Sequence, residues 1–362
     1  MELIEKSTRT ITLILCIFFL PILATEVPGQ GVDFRDLEPG EQTGPKRLNL
    51  LEQRHVIWED QAEDLVAEIA TLKRQLLWVS ATSRRLHVSH GNRLSLYPGQ
   101  IEKRISGKIL ALDVHPLPNL REQVLISVNY LKGDELRTEI LTYHASQQKL
   151  QSVHSQSEAA LRPLGAFLYG QKYGQVRNWD SDIHRIKTAQ GKFSWESTVP
   201  FPDHTRLLQM TSVFDDVFVS LNSAGNLVIH RKQTVHDVVE GPFGASTRAL
   251  PSKAPRQQQN RDTVRIAPTW LDNRNLVAVA RNPQLKRGLL EFIGQGEQSF
   301  IEFFRWNSRA QRLEKASQIG PMNGRILDTM VSQENPDQFL WIRKNANGMV
   351  KLELIDFGEL TS

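Results

Sequence analysis

Short runs of apolar residues, many alternating with polar ones, follow one another from residue 76 to the end of the chain. The first three, LLWVSA (76–81), RLHVSH (85–90) and RLSLY (93–97), are typical of consecutive β-strands, with Gly91-Asn92 as a turn. No segment after residue 76 has the apolar spacing of a long amphipathic helix, so the strand–helix alternation of a parallel α/β fold is absent. We therefore predict an all-β protein.

Short apolar runs separated by turn signals continue along the chain. Ahead of them, the apolar positions of residues 65–72 fit either a short helix or a strand. The polar segment PSKAPRQQQNR predicts an exposed loop near 250–262. The later runs that predict strands are 108–114, 123–131, 137–144, 149–154, 182–188, 207–214, 217–222, 227–232, 275–281, 300–306, 325–331, 338–344 and 349–357.

These runs recur in the same order, in groups of about 40 to 50 residues, which is the length of one propeller blade. Groups that begin near residues 109, 207 and 325 each contain a first strand, a very apolar second strand and a turn into an alternating third strand. A β-sandwich array has similar strands but does not require one strand order in every unit. We predict a β-propeller of six or seven four-stranded antiparallel blades.

The order of these strands resembles the FG-GAP/VCBS-repeat β-propellers of secreted and periplasmic bacterial proteins. The resemblance covers about residues 60–358 and implies an exported propeller. The segments that match the family are LALDV (110–114), Glu122, VLISV (124–128), LTYH (141–144), FLYGQKYG (167–174) and GPFG (241–244).

In that family an Asp-rich loop supplies several oxygen ligands at alternate positions, as Ca²⁺ requires. The corresponding stretch here, 113–119, has Asp113 as its only carboxylate, together with two prolines. The other equivalents, at 214–216, 271–275 and 332–337, also lack three correctly spaced oxygens. We predict that calcium binding is lost, with Asp272 and Asp337 as the best remaining candidates, and that the protein has no cofactor or metal.

An export signal is predicted at the N-terminus. Residues 11–24, ITLILCIFFLPILA, form an apolar run that follows Lys6 and Arg9 and ends at the small residue Ala24. A spanning helix needs about 20 apolar residues, so an uncleaved anchor in the inner membrane is the alternative. The single cysteine, Cys16, lies in this run, and the mature chain would therefore have no thiol, which suits an oxidising compartment.

The domain organisation follows from these segments. Residues 1–24 are the predicted signal peptide or anchor, and residues 25–57, rich in Gly and Pro, are a predicted flexible linker. The propeller is expected over 58–362. The chain has 44 Lys+Arg against 40 Asp+Glu, and its basic residues are scattered, so nucleic-acid binding is not predicted.

No catalytic motif is present. His87 and His90 lie three residues apart, where strand alternation sends their side chains to opposite faces unless the turn brings them together, so a turn histidine beside a solvated one is favoured over a metal pair. The spacings HExxH and GxSxG are absent. Two glycine-containing segments, Gly170–Gly174 and Gly294–Gly296, are interpreted as turns, because both are too short to cradle a phosphate.

Aromatic and basic residues give two further candidates for binding. The tryptophans recur at intervals like the blade length and are expected to pack between blades; an aromatic ligand platform is the alternative. The basic pairs are expected to be solvated strand ends, some of which could face anionic envelope polymers. The tryptophans are Trp58, Trp78, Trp179, Trp195, Trp270, Trp306 and Trp341, and the pairs are Arg84-Arg85, Lys286-Arg287 and Arg343-Lys344.

Together these features predict a periplasmic or secreted, monomeric, non-enzymatic propeller that contacts a protein or glycan of the bacterial cell envelope. The alternative is a propeller enzyme, a hydrolase or lyase acting on an extracellular polymer, which needs His, Asp or Glu side chains converging at the channel mouth. A third possibility is an assembly factor for outer-membrane or surface machinery, tethered by its N-terminal segment. Fold analogy alone supports the first choice.

Overall fold

A computed structural model describes residues 54–357, with gaps at 73–74, 92–98, 117–122, 166, 174–178, 190–191, 204, 215, 232, 245, 250–262, 283–297 and 333–334. The predicted export signal, the linker up to residue 53, the run 93–97 and the loop near 250–262 lie outside the described residues. Within them the chain forms 26 strands and two 3-10 helices, Leu207–Gln209 and Asp272–Arg274. No helix in this part of the chain is long and apolar enough to cross a membrane.

The strands form six four-stranded antiparallel sheets, the blades of a β-propeller. Blade 1 contains β2 (Val66–Leu72), β3 (Gln75–Ala81), β4 (Arg85–Gly91) and β5 (Ile101–Arg104). Blade 2 contains β6 (Lys108–Pro116), β7 (Gln123–Lys132), β8 (Glu135–His144) and β9 (Lys149–Ser157). Blade 3 contains β10 (Ala159–Leu164), β11 (Phe167–Tyr173), β12 (Trp179–Ala189) and β13 (Lys192–Val199).

Blade 4 contains β14 (Met210–Phe214), β15 (Val217–Leu221), β16 (Leu227–Arg231) and β17 (Thr234–Val239). Blade 5 contains β20 (Thr269–Leu271), β21 (Leu276–Arg281), β22 (Gln298–Asn307) and β23 (Arg312–Asn323). Blade 6 contains β24 (Arg325–Val331), β25 (Gln338–Lys344), β26 (Met349–Asp356) and β1 (His55–Gln61). A separate pair, β18 (Ser246–Ala249) and β19 (Thr263–Arg265), lies between blades 4 and 5 in the chain.

The N-terminal strand closes the ring. β1 pairs antiparallel with β26, so the outermost strand of blade 6 comes from the opposite end of the described chain. The Nζ of Lys351 lies 2.6 Å from the Glu59 carboxylate across this pair. Because β1 begins at His55, residues 55–57, which the sequence placed in the linker, belong to the propeller.

A second contact joins blades 1 and 6 at the point of closure. The Asp64 carboxylate lies 2.6 Å from Nη2 of Arg325 and 3.1 Å from Nζ of Lys344. Burial alone raises the pKa of Asp64, but the charges and hydrogen bonds of these two cations outweigh it, and the pKa is below its ordinary value.

The apolar core lies between neighbouring blades. One cluster joins buried side chains of blades 1 and 2, including Leu77, Leu86 and Ile126. Another joins blades 5 and 6 around Phe303 and Trp341, both fully buried. Each sheet therefore has two apolar faces, which explains the continuous apolar runs in the second strands.

Side-chain amides connect successive blades in a repeated way. Asn129, on the second strand of blade 2, donates Nδ2–H to the Leu161 carbonyl and accepts from the Leu161 N–H. Asn282, just after the second strand of blade 5, does the same with Ile326 of blade 6, at 2.9 and 3.0 Å. Gln171 of blade 3 accepts from the N–H of Leu207, just before blade 4. We call Asn129, Gln171 and Asn282 the amide clamps.

The structure confirms the all-β propeller and fixes the blade number at six. Residues 66–72 form a strand, which settles the ambiguity between helix and strand. The interpretation of 170–174 as a turn is wrong for Gly170, which lies inside β11. A Cβ there would lie 2.7 Å from the Trp195 ring and 2.8 Å from Leu161, so glycine is needed for close packing, not for a turn.

Candidate functional site: the central channel

The first strands of all six blades line a cavity of about 380 Å³ on the propeller axis. Channel-lining residues come from β2, β6, β10, β14, β20 and β24, so this cavity is the central channel. Small and aliphatic side chains make up much of its wall. The ionisable side chains among them are Glu68, Asp113, Arg162, Arg265, Asp272 and Asp328.

Arg162 of blade 3 connects three blades. Its Nε donates to Oδ1 of Asp113 in blade 2 at 2.8 Å, and its Nη1 donates to the Met210 carbonyl of blade 4 at 2.7 Å. Asp113 is 6% exposed, and burial raises the pKa of its carboxyl while the charge of Arg162 opposes the shift. This ion pair is an inter-blade tie inside the channel.

Asp328 also connects blades. Its Oδ2 accepts from the backbone N–H of Ala67 in blade 1 at 3.2 Å, and its Oδ1 accepts from the N–H of Thr329 at 3.0 Å. The neighbouring Thr329 hydroxyl lies 2.8 Å from the hydroxyl of Thr269 in blade 5. Blades 5, 6 and 1 are thus joined by polar side chains at the channel wall.

Glu68, on β2, differs from the other two channel carboxylates. It lines the channel, and it has no hydrogen bond or ion pair with any described residue. Burial, followed by the negative charges of Asp113 and Asp328, raises the pKa of Glu68 well above its ordinary value, and Arg162 opposes the shift only in part. The Glu68 carboxyl, half-buried in the channel wall, is therefore more readily protonated than an exposed glutamate and can bind a group that enters the channel.

A second cavity of about 350 Å³ lies at the end of the inner strands and shares Arg162, Thr211, Trp270 and Asp272 with the channel. Aromatic residues of blades 3 and 4, including Tyr169 and Phe218, form its other side. Trp270 is half-buried and donates its Nε1–H to Asp272 at 3.2 Å. The channel thus has an aromatic mouth.

The calcium candidates do not form a cation site. Asp272 accepts from Trp270, and Asp337 is paired with Nε of Arg274 at 2.7 Å. Asp113 lies in strand β6 and not in a loop, which corrects the alignment with an Asp-rich loop. Among the residues that the structure describes, no three His, Cys, Asp or Glu side chains are grouped so that they could hold a metal ion.

The two histidines of β4 do not act together. His87 is fully buried, with Nδ1 3.3 Å from Glu102, whereas His90 is half-buried with its ring edge against Tyr143. Burial lowers the pKa of His87, and the Glu102 charge opposes that shift. The prediction of a turn histidine beside a solvated one is wrong for His87, because this side chain is part of the blade interior.

The tryptophans do not form one surface. Trp78 packs in the cluster between blades 1 and 6, and Trp306 packs between blades 4 and 5. Trp341 is fully buried, and only Trp270 lines the channel. The arrangement agrees with packing between blades and not with an aromatic platform.

The basic pair Arg343-Lys344 was expected to be a solvated strand end, and this prediction is wrong for Arg343. Arg343 is buried and forms two hydrogen bonds to the Glu353 carboxylate, Nε at 2.8 Å and Nη2 at 2.7 Å. Trp341 Nε1 donates to the same carboxylate at 2.8 Å. Arg85 is exposed, as predicted, and the pair Lys286-Arg287 lies outside the described residues.

Sequence reasoning did not identify Glu68 or Arg162. Each is a single charged residue in an otherwise apolar strand, VAEIATL and AALRPL. A charge at the centre of a first strand is the signal that was available, because such a position faces the axis of a propeller.

Comparisons with known proteins identify no family for this chain. No family model matches the chain, and no curated protein matches it. Solved structures do match, among them a chain in a S. cerevisiae assembly that contains Dbp5, Nup159 and Gle1 with IP6 and ADP. That chain is 9% identical, with a TM-score of 0.38, covering 84% of this chain and 95% of its own length. A likeness this weak carries no argument about function.

Proposed function

We propose that this propeller is an exported, non-enzymatic scaffold that contacts a protein of the bacterial cell envelope. One observation carries the proposal. Apolar side chains are exposed on the outermost strands of blades 2, 4 and 6: Val153, Val235 and Val238, and Val56 and Ile57. Outermost strands also have unpaired backbone groups on one edge, which a partner chain can extend.

Other features support the same function. The Asp113–Arg162 pair and Asp328 are bonded between blades, so most of the channel charge stabilises the ring. The apolar run 11–24 supports export, and the strand order supports kinship with the FG-GAP/VCBS-repeat propellers. A glycan partner is less favoured than a protein, because the exposed residues on the outermost strands are aliphatic and not aromatic.

Affinity capture from an envelope fraction tests the proposal. The tagged protein is compared with three variants, Val238→Asp in blade 4, Val153→Asp in blade 2 and Ile57→Asp in blade 6. We expect one envelope protein to be captured by wild type and lost in at least one variant, because a charge cannot be buried in an apolar contact. Capture that is the same for all three variants would refute contact through the outermost strands.

A second function, cleavage of an extracellular polymer, is favoured by one observation. Glu68 lines the same channel as Asp113 and Asp328, so three carboxyl groups meet at one cavity, a grouping that acid–base cleavage uses. Incubation of wild type and Glu68→Gln with envelope polysaccharides separates the two functions. Release of new chain ends by wild type only would replace the scaffold proposal with a hydrolase or lyase.

A further inference from the structure

We propose that the central channel binds a monovalent organic cation, an alkylammonium or guanidinium group, with the Glu68 carboxylate as its counter-ion. This site is distinct from the outermost strands assigned to protein contact. It would make the channel a ligand pocket in addition to the centre of a scaffold.

The charge of the channel favours a cation. Four carboxyl groups line the two connected cavities, those of Glu68, Asp113, Asp272 and Asp328, against two guanidinium groups. Both guanidinium groups bind the protein itself. Arg162 bonds to Asp113 and the Met210 carbonyl, and Arg265 donates Nη1 to the carbonyls of Phe243 and Gly244 at 3.2 and 3.0 Å.

Two acidic groups in the channel have unused hydrogen-bonding capacity. Glu68 lines the cavity without a hydrogen bond or ion pair to a described residue. Asp113, only 6% exposed, leaves Oδ2 without a hydrogen-bond partner among the described residues, although its Oδ1 binds Arg162. Buried polar atoms are rarely left unsatisfied, so Asp113 Oδ2 marks unused acceptor capacity in the wall. The Glu68 carboxyl is half-buried at the cavity and can pair directly with a donor that enters it.

The wall favours an organic cation over a metal ion. The carboxylates of Asp113 and Asp328 are each engaged in an inter-blade bond, and no metal-holding group of three occurs among the described residues. A cavity of about 380 Å³ lined by Leu112, Leu208 and Met330 suits an alkyl chain. The half-buried Trp270 ring at the mouth offers a π-face to a cation.

Binding is coupled to a proton. Asp113 on β6 and Asp328 on β24 face Glu68 with negative charge, and Arg162 on β10 faces it with positive charge. Arg265 and Asp272 are the other charged residues of the wall. Without a ligand the raised pKa of Glu68 favours its protonated form; when an ammonium group binds at a protonated Glu68, that O–H bond breaks, the proton goes to solvent and the carboxylate pairs with the cation. Affinity therefore increases as pH rises.

Isothermal titration of the full chain at pH 8 tests this site. The probes are n-butylammonium, n-butylguanidinium and the neutral n-butanol, with an acetylated, amidated Gly-Lys-Gly peptide to distinguish a free amine from a protein side chain. We expect both small cations to bind at least about tenfold more tightly than n-butanol, a difference of about 1.4 kcal/mol. Titration in two buffers of different ionisation enthalpy should show net proton release on cation binding.

Glu68→Gln is the test variant. Glu240→Gln is its matched control, because the Glu240 side chain is exposed and forms no hydrogen bond with a described residue. We expect Glu68→Gln to weaken cation binding by about tenfold or more and to abolish proton release, with Glu240→Gln unchanged. Equal binding by Glu68→Gln, equal binding of n-butanol, or no binding of any cationic probe at about 10 mM would overturn the proposal. If Glu68→Gln does not fold, cation affinity of wild type that is the same at pH 6 and pH 8 overturns it.

Discussion

Charged side chains inside this protein fall into two groups, those paired across strands or blades and those left open to the channel. Arg343 and Glu353 belong to the first group. Their side chains are 7% and 1% exposed and form a two-bond ion pair in blade 6, with Trp341 as a third donor. Arg343 pairs in register with Lys351 and Glu353 with Trp341, so the ion pair is a diagonal contact between β25 and β26.

Removing one partner of this pair should be costly. We expect Arg343→Met to lower the free energy of unfolding by about 3–5 kcal/mol, because the buried Glu353 would lose its two-bond partner and keep the more distant Arg54, at 3.8 Å, as its cation. The double variant Arg343→Met/Glu353→Leu should recover part of the loss. Urea denaturation measures the free energy of unfolding of both variants. A value for Arg343→Met within about 1 kcal/mol of wild type would show that the pair is solvated.

Glu68 belongs to the second group, and it makes stability depend on pH. Its pKa in the folded protein is raised, so its contribution to stability is complete below the unfolded-state pKa of about 4.3 and is lost as pH rises through the folded value. His87 has a lowered pKa and acts oppositely, losing stability as pH falls below about 6.5.

The difference in melting temperature between wild type and Glu68→Gln isolates the Glu68 contribution, because His87 titrates in both proteins. We expect wild type to lose stability relative to Glu68→Gln as pH rises through the raised folded-state pKa of Glu68, because the amide cannot ionise. Glu240→Gln should keep the wild-type slope. Identical slopes of melting temperature against pH for Glu68→Gln and wild type would mean that ionisation of Glu68 does not destabilise the folded protein.

At the scale of elements, the blades are held together by apolar faces and by a few polar ties. The amide clamps are the repeated tie: each binds the backbone of the next blade's first strand or of the residues just before it, so hydrogen bonds compensate for burying polar groups between two sheets.

Asn282→Ala tests the clamps. The variant leaves the N–H and carbonyl of Ile326 without their side-chain partner, and each unsatisfied group costs about 1–3 kcal/mol. We expect a loss of about 2–4 kcal/mol in chemical denaturation. Asn347→Ala, which removes an exposed turn hydrogen bond to Met349, is the control and should cost less than about 1 kcal/mol. Equal losses for the two variants would rule out a special role for the clamp.

The elements also show how far the sequence could predict the fold. Runs such as 123–131 and 338–344 are continuous apolar strands, and their order along the chain was enough to predict the blades. Strands β10 and β11 were missed because Pro163 and Gly170 are turn signals by local propensity, while packing against Trp195 decides their conformation. The sequence also gave no sign that residues 55–61 pair with β26, because no local pattern specifies a partner so distant in the chain.

The candidate site was less predictable than the fold. Glu68, Asp113, Arg162 and Asp328 come from four different blades, and only ring closure places them around one axis. Each lies on the first strand of a different blade, so no local sequence motif contains them. The sequence lacks the HExxH and GxSxG spacings, but no sequence pattern could show that these four side chains converge.

At the scale of the whole molecule, the protein is a ring of six blades closed by its own N-terminal strand. Several charged side chains of the channel wall bond between blades, whereas the outermost strands of blades 2, 4 and 6 expose aliphatic side chains. This division supports a rigid platform that meets its partner on the outer wall. An assembly factor tethered by its N-terminal segment, the third possibility from the sequence, would contact its partners through the same outermost strands.

Photo-cross-linking in intact cells tests the platform most directly. A photoreactive amino acid replaces Val238 on β17, which is 47% exposed, and, as a control, Asp134 in the exposed β7–β8 turn. We predict one reproducible adduct with an envelope protein from position 238 and none from position 134. The same adducts at both positions, or adducts only with cytosolic proteins, would contradict the account of an exported scaffold.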